Sequence, residues 1–346
     1  MDRRLFFKNE PIAARLIAPD GGEVKRVIEI RTNPITFRTS RIALSRVSEK
    51  DTGETLPKPP PDAESRAACP FCRPQVTAST PQCVEELAPL GGRLVYGESL
   101  LFPNLFPYGS YSAVSLFDDN HFVEIGTATV RSYRDSFLNC AEYLRRIGAI
   151  DPQALYMAIT QNHLPSAGGS LLHPHLQINA DRIASNHHRF LRLRATEYFK
   201  TRGTRLLTDY LRHEKEDGRR YIGTTGEWQW MAAFAPEGFY EIWSILPGCT
   251  SFKSLREEDW ENLALGVVRT QKFYRSLCRN GYNFGMLLIE DENDCFEMRA
   301  IILARSNHAP WVRNDHTGFE VMLGDMATFV RPEETAELAR EFWAET

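Results

Sequence analysis

Two helical periodicities organise the chain. Between Val130 and Ile147 the apolar positions Tyr133, Phe137, Cys140, Leu144 and Ile147 recur at helical spacing, with Arg and Asp on the opposite side. Between Leu255 and Asn280 a second stripe, Trp260, Leu263, Val267, Thr270, Phe273 and Leu277, does the same. Two strand-like runs follow each helix: 155–162 (LYMAITQN) and 173–180 (HPHLQINA) after the first, 282–290 (YNFGMLLIE) and 296–304 (FEMRAIILA) after the second. Helix, strand, short connection, strand therefore occurs twice, which predicts an α+β fold built from a duplicated unit with antiparallel strands. The expected division is 1–180 and 181–346.

The remaining segments fill in around this repeat. Residues 27–37 and 41–46 read as short extended pieces interrupted by Asn33-Pro34, and 93–117 as strands broken at Pro103 and Pro107. Residues 183–216 read as one long polar helical region, with strands in 221–236 and 239–247 after it. The stretch 49–68 is polar, carries four prolines and predicts a surface loop.

Composition narrows the class. With 346 residues, 42% hydrophobic and 25% charged, the chain has material for a sizeable core in one large domain or two packed halves. A formal charge of −4, from 41 basic against 45 acidic residues, predicts neither a nucleic-acid nor a membrane-surface partner. A small anionic ligand in a local pocket stays open. No apolar run approaches the roughly eighteen residues of a spanning helix, and the start has no leader-like apolar core. The seven cysteines, an odd number, fit reduced thiols in a cytoplasmic protein.

The segment His173-Pro-His175-Leu-Gln177 is the most informative. On a strand, His173, His175 and Gln177 would face one side at intervals of about 6 to 7 Å, with Leu176 and Ile178 facing the core. A half-exposed strand with outward polar residues would look the same. The loop Asn162-His-Leu-Pro-Ser-Ala-Gly168-Gly169-Ser170 tips the balance, because its glycines let backbone N–H groups approach a phosphate. Cys69-Pro-Phe-Cys72 has the spacing of half a tetrahedral zinc site, although alone it could equally be redox-active or incidental.

Taken together, Asn162, Gly168, Ser170 and His173-Pro-His175-Leu-Gln177 resemble the histidine-triad superfamily, specifically the galactose-1-phosphate uridylyltransferase family. That family's motif runs Asn, a Gly-rich stretch, then Ser-x-x-His-Pro-His-Gly-Gln. Leu176 replaces the family Gly and matches the His-x-His-Leu-Gln form of diadenosine tetraphosphate phosphorylases, and Gly169 stands where a Cys often precedes the Ser. The resemblance spans roughly residues 31–340, with its specific motifs in the first half. It implies duplicated histidine-triad-like halves, of which only the first kept the chemistry.

It also implies roles. His175 would be the nucleophile that carries a nucleotidyl group as a phosphoramidate, with Gln177, Ser170 and Asn162 stabilising the shifting phosphate charge. Gly168 and Gly169 would line the phosphate. Family order nominates Cys69, Cys72, His121 and His173 as one structural Zn2+ site. The second-half His-x-His that some members use for iron reads Arg299-Ala-Ile301, so no iron is expected.

Leu101-Phe102-Pro-Asn104-Leu-Phe106 resembles the nucleoside segment Phe-x-Asn-Asp-Phe, making Phe102 and Asn104 substrate candidates, though Phe102 and Phe106 would serve equally in a core. Phe71 is placed to pack on the base. Phe319 and Glu320 stand at the family's Tyr-Glu near the hexose phosphate, while Asn314, Asp315 and Met326 replace its Lys, Phe and Gln.

The implied activity is nucleotidyl transfer from a nucleotide sugar to a sugar 1-phosphate. The alternatives are a nucleotide-sugar or dinucleoside polyphosphate phosphorylase using inorganic phosphate, and a non-catalytic zinc-stabilised nucleotide sensor. Expected partners are a nucleotide sugar and a phosphate-bearing acceptor, with a homodimer left open.

Overall fold

The structure, a computed structural model, describes residues 6–43, 58–59, 64, 66–89, 91–291, 294–305 and 318–344. Most of the 49–68 loop, with Asn314 and Asp315, lies outside them.

The first repeat comprises β4 (Leu94–Tyr96), β5 (Ser99–Pro103), β6 (Tyr111–Leu116), α2 (Val130–Ile150), β7 (Tyr156–His163) and β8 (His175–Asp181). The second comprises β9 (Tyr221–Thr225), β10 (Trp228–Ala232), β11 (Phe239–Ile245), α5 (Glu257–Ser276), β12 (Gly281–Ile289) and β13 (Arg299–Arg305). All ten strands form one sheet, ordered β4-β5-β6-β8-β7-β12-β13-β11-β10-β9. Counted inward from either edge the order is the same, so the sheet is two copies of one unit joined at β7 and β12. Every pairing in it is antiparallel.

The two stripes read from the sequence explain the packing. Tyr133, Phe137, Cys140, Leu144 and Ile147 of α2 bury against Leu176, Ile178 and Ala180 of β8, while Trp260, Leu263, Val267 and Phe273 of α5 cover the second copy. Helix α2 starts where the Thr129 hydroxyl accepts from the Ser132 N–H at 3.1 Å. Helix α5 needs Gly266, since a Cβ there would strike the ring of Trp230. Behind the seam, Tyr133 and Tyr282 each donate to Gln161 Oε1 at 2.9 Å and tie the copies together.

The segment expected as one polar helix is two, α3 (Asn186–Arg202) and α4 (Leu206–Asp217), because Gly203 takes a left-handed φ of 71° and ends the first. Nor are they polar all round. Leu191, Ala195, Leu206 and Leu207 lie with Ile35 over Leu287 and Ile301 of the sheet. In the second copy these helices cover the face that in the first copy stays open at His175.

A separate four-stranded sheet, β1 (Lys8–Ile17), β2 (Glu23–Thr32), β3 (Thr39–Ile42) and β14 (Met326–Thr328), includes one parallel pair, β3 with β14. Strand β1 carried no readable pattern, since almost all of it is exposed and no burial alternation marks it. Short helices α1 (Gln75–Ser79) and α6 (Gly318–Leu323) and the closing α7 (Pro332–Ala344) complete the described chain.

A buried ion-pair network fastens this sheet to the main body. Arg31 of β2 meets Glu29 at 2.7 Å and Glu333 of α7 at 2.9 Å, and Arg220 meets Glu333 at 2.8 Å and Glu214 at 2.9 Å. Burial would raise the Glu333 carboxyl, but the two guanidiniums overcome it and hold it at about 2, against an ordinary 4.5. A depressed folded value adds stability that is full above the unfolded pKa and lost as pH falls through the folded one. Glu333→Gln is therefore expected to cost about 2 kcal/mol at pH 7, allowing for partial exposure. Urea titrations of both proteins should show the gap closing between about pH 4.5 and pH 2.

Candidate active site

Strand β8 begins at His175, and from there the expected alternation holds: His175 and Gln177 face outward, Leu176 and Ile178 are buried. His173 does not share that strand face. It lies before the strand, on the far side of Pro174, and its buried ring turns toward the cysteine pair.

Each histidine is oriented by a backbone carbonyl. His173 Nε2 donates to the Asp118 carbonyl at 3.0 Å, leaving Nδ1 3.5 Å from Cys72 Sγ. His121 Nδ1 lies 3.3 Å from the same sulfur. Potential ligand atoms of Cys69, Cys72, His121 and His173 all lie within 4.8 Å of one another, and all four residues are buried. A tetrahedral zinc, with Zn–S near 2.3 Å and Zn–N near 2.0 Å, sets its ligand atoms about 3.3 to 3.8 Å apart, so this donor set fits one. The cysteines are free thiols. Burial, then the neighbouring Cys69, pushes the Cys72 thiol up to about 11, a charge balance that a divalent cation reverses. Arg66 and the Arg73 N–H, both bonded to Asp119 at 2.7 and 3.3 Å, brace the loop carrying the cysteines.

His175 Nδ1 sits 2.8 Å from the His173 carbonyl oxygen. A carbonyl only accepts, so Nδ1 carries the proton and Nε2 keeps a free lone pair. Burial lowers the imidazole pKa, which keeps it neutral near pH 7. Phe71 stands edge-on to this ring at 5.4 Å between centroids, and rests in turn on Phe102 at 5.3 Å. Phe102 is only 1% exposed and packs with Val76, Val114 and Leu116, so in this structure it supports Phe71 instead of meeting a ligand. The Gln177 amide has no hydrogen-bond partner among the described residues and opens on the same face.

The glycine-rich loop differs from expectation. Ala167 and Gly169 N–H donate to the Leu164 carbonyl, and Gly168 N–H to that of Pro165, each at 3.0 Å. Gly168 and Gly169 thus close the turn with their amides; Ser170, exposed beyond it, follows with its N–H unengaged among the described residues. Gly168 has a φ of 85°. A Cβ on Gly169 would lie 2.8 Å from the Asn162 carbonyl oxygen, which explains why the family Cys cannot stand there.

Other candidates are dispersed. Asn104 Oδ1 accepts from the Phe106 N–H at 3.0 Å, a turn bond that takes one of the oxygen's two acceptor positions and leaves the amide nitrogen to donate to a ribose. Glu320 lines a cleft with Arg38, Glu237 and Asp325 that shares no residue with the surroundings of His175, and the Phe319 side chain lies outside the described residues. Sequence reasoning passed over His163, fully buried on Tyr282 and held at about 3 by burial. It also missed Asn283, which β12 places opposite Asn162. Neither has a local motif, and only strand register reveals them.

No protein-family model matches the chain. An uncharacterised protein of Archaeoglobus fulgidus is 30% identical over 347 residues, covering 98% of this chain and 99% of its own. Among solved structures, ADP-glucose phosphorylase from Arabidopsis thaliana with bound ADP-glucose superposes with a TM-score of 0.70 at 19% identity, covering 91% of this chain and 99% of that one. A GalT-like protein from Arabidopsis thaliana gives 0.68 at 18% identity over 90% and 98%. A uridylyltransferase gives 0.65 at 18% identity, also over 90% and 98%. The chain thus has the duplicated fold of the galactose-1-phosphate uridylyltransferase-like proteins, the class its His-Pro-His segment resembles. It belongs to one family with the Archaeoglobus protein. No helix among the described residues is long and apolar enough to cross a membrane.

Proposed function

We propose that the protein is a nucleotidyltransferase that takes a nucleoside monophosphate from a nucleotide sugar onto His175 and passes it to a sugar 1-phosphate. The observation that carries this reading is the His175 tautomer: Nδ1 bonded to the His173 carbonyl at 2.8 Å, Nε2 unprotonated and outward, beside the free amide of Gln177. Nε2 attacks the α-phosphorus, the N–P bond forms, and the bond to the sugar-phosphate oxygen breaks. The positive charge left on the ring is met by the His173 carbonyl through Nδ1–H. An acceptor phosphate oxygen then attacks the same phosphorus, and the N–P bond electrons return to Nε2.

Zinc, where bound by Cys69, Cys72, His121 and His173, supplies structural cross-linking. Because His173 would be both a ligand and the residue whose carbonyl holds His175, the site's rigidity is passed directly to the nucleophile.

A second reading, in which inorganic phosphate is the acceptor and a nucleoside diphosphate leaves, is favoured by the placement of Glu320 in a cleft away from the residues around His175. Incubation with nucleotide sugars labelled in the α-phosphate, followed by a chase with sugar 1-phosphates or inorganic phosphate, tests both. An acid-labile, base-stable adduct is expected, and the acceptor that discharges it decides between the two. Absence of any adduct across a panel of bases would leave a nucleotide sensor instead.

Gln177 should act on the reaction more than on binding, since its amide is poised where phosphate charge shifts. Gln177→Ala is expected to lower turnover about 100-fold while nucleotide Kd changes less than about threefold. Equal losses in rate and affinity, measured by single turnover and calorimetry, would make it a binding residue.

A further inference from the structure

The seam between the two copies holds a chain of polar contacts that ends in the candidate site. Antiparallel register sets Asn283 of β12 directly opposite Asn162 of β7, on the sheet face that carries His175 and Gln177. From β13, Arg305 Nη1 donates to Asn283 Oδ1 at 3.0 Å. Asn283 Nδ2 then donates to Asn162 Oδ1 at 2.7 Å and to the Ala167 carbonyl at 2.9 Å.

The direction of this chain is fixed by chemistry. A guanidinium has five donors and no acceptor, so the Asn283 group facing it must be the carbonyl oxygen. The amide nitrogen of Asn283 therefore faces Asn162 and can only donate, which obliges Asn162 to present its own oxygen. What remains is Asn162 Nδ2, which donates to nothing among the described residues and is left for the site. An Asn162 flipped by half a turn would instead offer its oxygen to a phosphate, replacing attraction by repulsion.

We propose that Asn283 and Arg305 are positioning residues for nucleotidyl transfer: the second copy, lacking the histidines, orients Asn162 so that its N–H2 meets a non-bridging oxygen of the transferred phosphate. The bond to Ala167 pins the glycine-rich loop by the same group. This deepens the function proposed above and rests on it.

The test is a double-mutant cycle read by the rate of labelling of His175. Asn283→Asp is nearly isosteric and keeps an acceptor for Arg305, so folding should survive, with Tm within a few degrees. Its carboxylate cannot donate, so Asn162 must turn its N–H2 away, and adduct formation should slow about 100-fold. Asn283→Leu, which adds no charge, should slow it about tenfold. In an Asn162→Ala background both changes should cost less than about twofold. Arg305→Met should slow labelling and Arg305→Lys should restore most of it.

Wild-type rates in Asn283→Asp would overturn the proposal. So would an equal loss with and without the Asn162 side chain, since that would be charge repulsion or general damage. A wild-type protein that takes no label from any donor fails before any substitution is made, and overturns the functional reading together with this inference.

Discussion

Replacing His175 by glycine is expected to abolish covalent labelling and to lower turnover by at least about four orders of magnitude, with fold and metal content unchanged. The strand tolerates this because ladder bonds involve backbone groups, which the substitution keeps, and the side chain faces outward beside Phe71. Chemical rescue is the sharper measurement. A nucleoside 5′-phosphoroimidazolide already contains the N–P bond that His175 would form, and its imidazole can enter the space the side chain vacates. The variant should then transfer the nucleotide from imidazolide to acceptor while remaining inert to the natural donor. If His175 were a general base, the wild type would carry no label and the imidazolide would give the variant no advantage.

Loss of the metal site should have the second-largest effect, on stability. Purified protein is expected to hold about one zinc per chain, and Cys72→Ser or exhaustive chelation should lower Tm by on the order of 10 °C. Because burial and Cys69 hold the Cys72 thiol at about 11 without metal, it is protonated near neutrality and must lose that proton when zinc binds. Calorimetry in buffers of different ionisation enthalpy should therefore record proton release, and affinity should weaken as pH falls. His173→Ala should lose the metal and His175→Gly should keep it. The opposite pattern would exchange the roles of the two histidines, and stoichiometric iron would refute the assignment of the donor set.

Local periodicity determined a good deal of this protein. The stripes beginning at Tyr133 and Trp260 specify helices because residues three and four apart share a helix face whatever surrounds them, and alternation through His175, Leu176, Gln177 and Ile178 settles which of them point outward. The doubled order of elements is legible for the same reason, as is the Cys69–Cys72 pair, whose two-residue spacing is a property of the chain alone. The Gly169 substitution was visible too, but its reason was not: the Asn162 carbonyl that excludes a Cβ is brought there by the turn.

What the chain could not show is set by contacts between residues far apart in it. Pro174 and the Asp118 carbonyl take His173 off the strand face and turn it to the cysteines. Gly168 and Gly169 spend their amides within the loop because the Leu164 and Pro165 carbonyls come within bonding distance only once the turn closes. The apolar side of α3 and α4 became apparent only with the second copy's sheet face beneath it, where Leu287 and Ile301 need cover. Asn283 lies 121 positions from Asn162 and carries no motif. Its place at the site follows from the register of β7 on β12, and register is decided by which side chains two distant strands can bury together, a property of the assembled sheet and of neither strand alone.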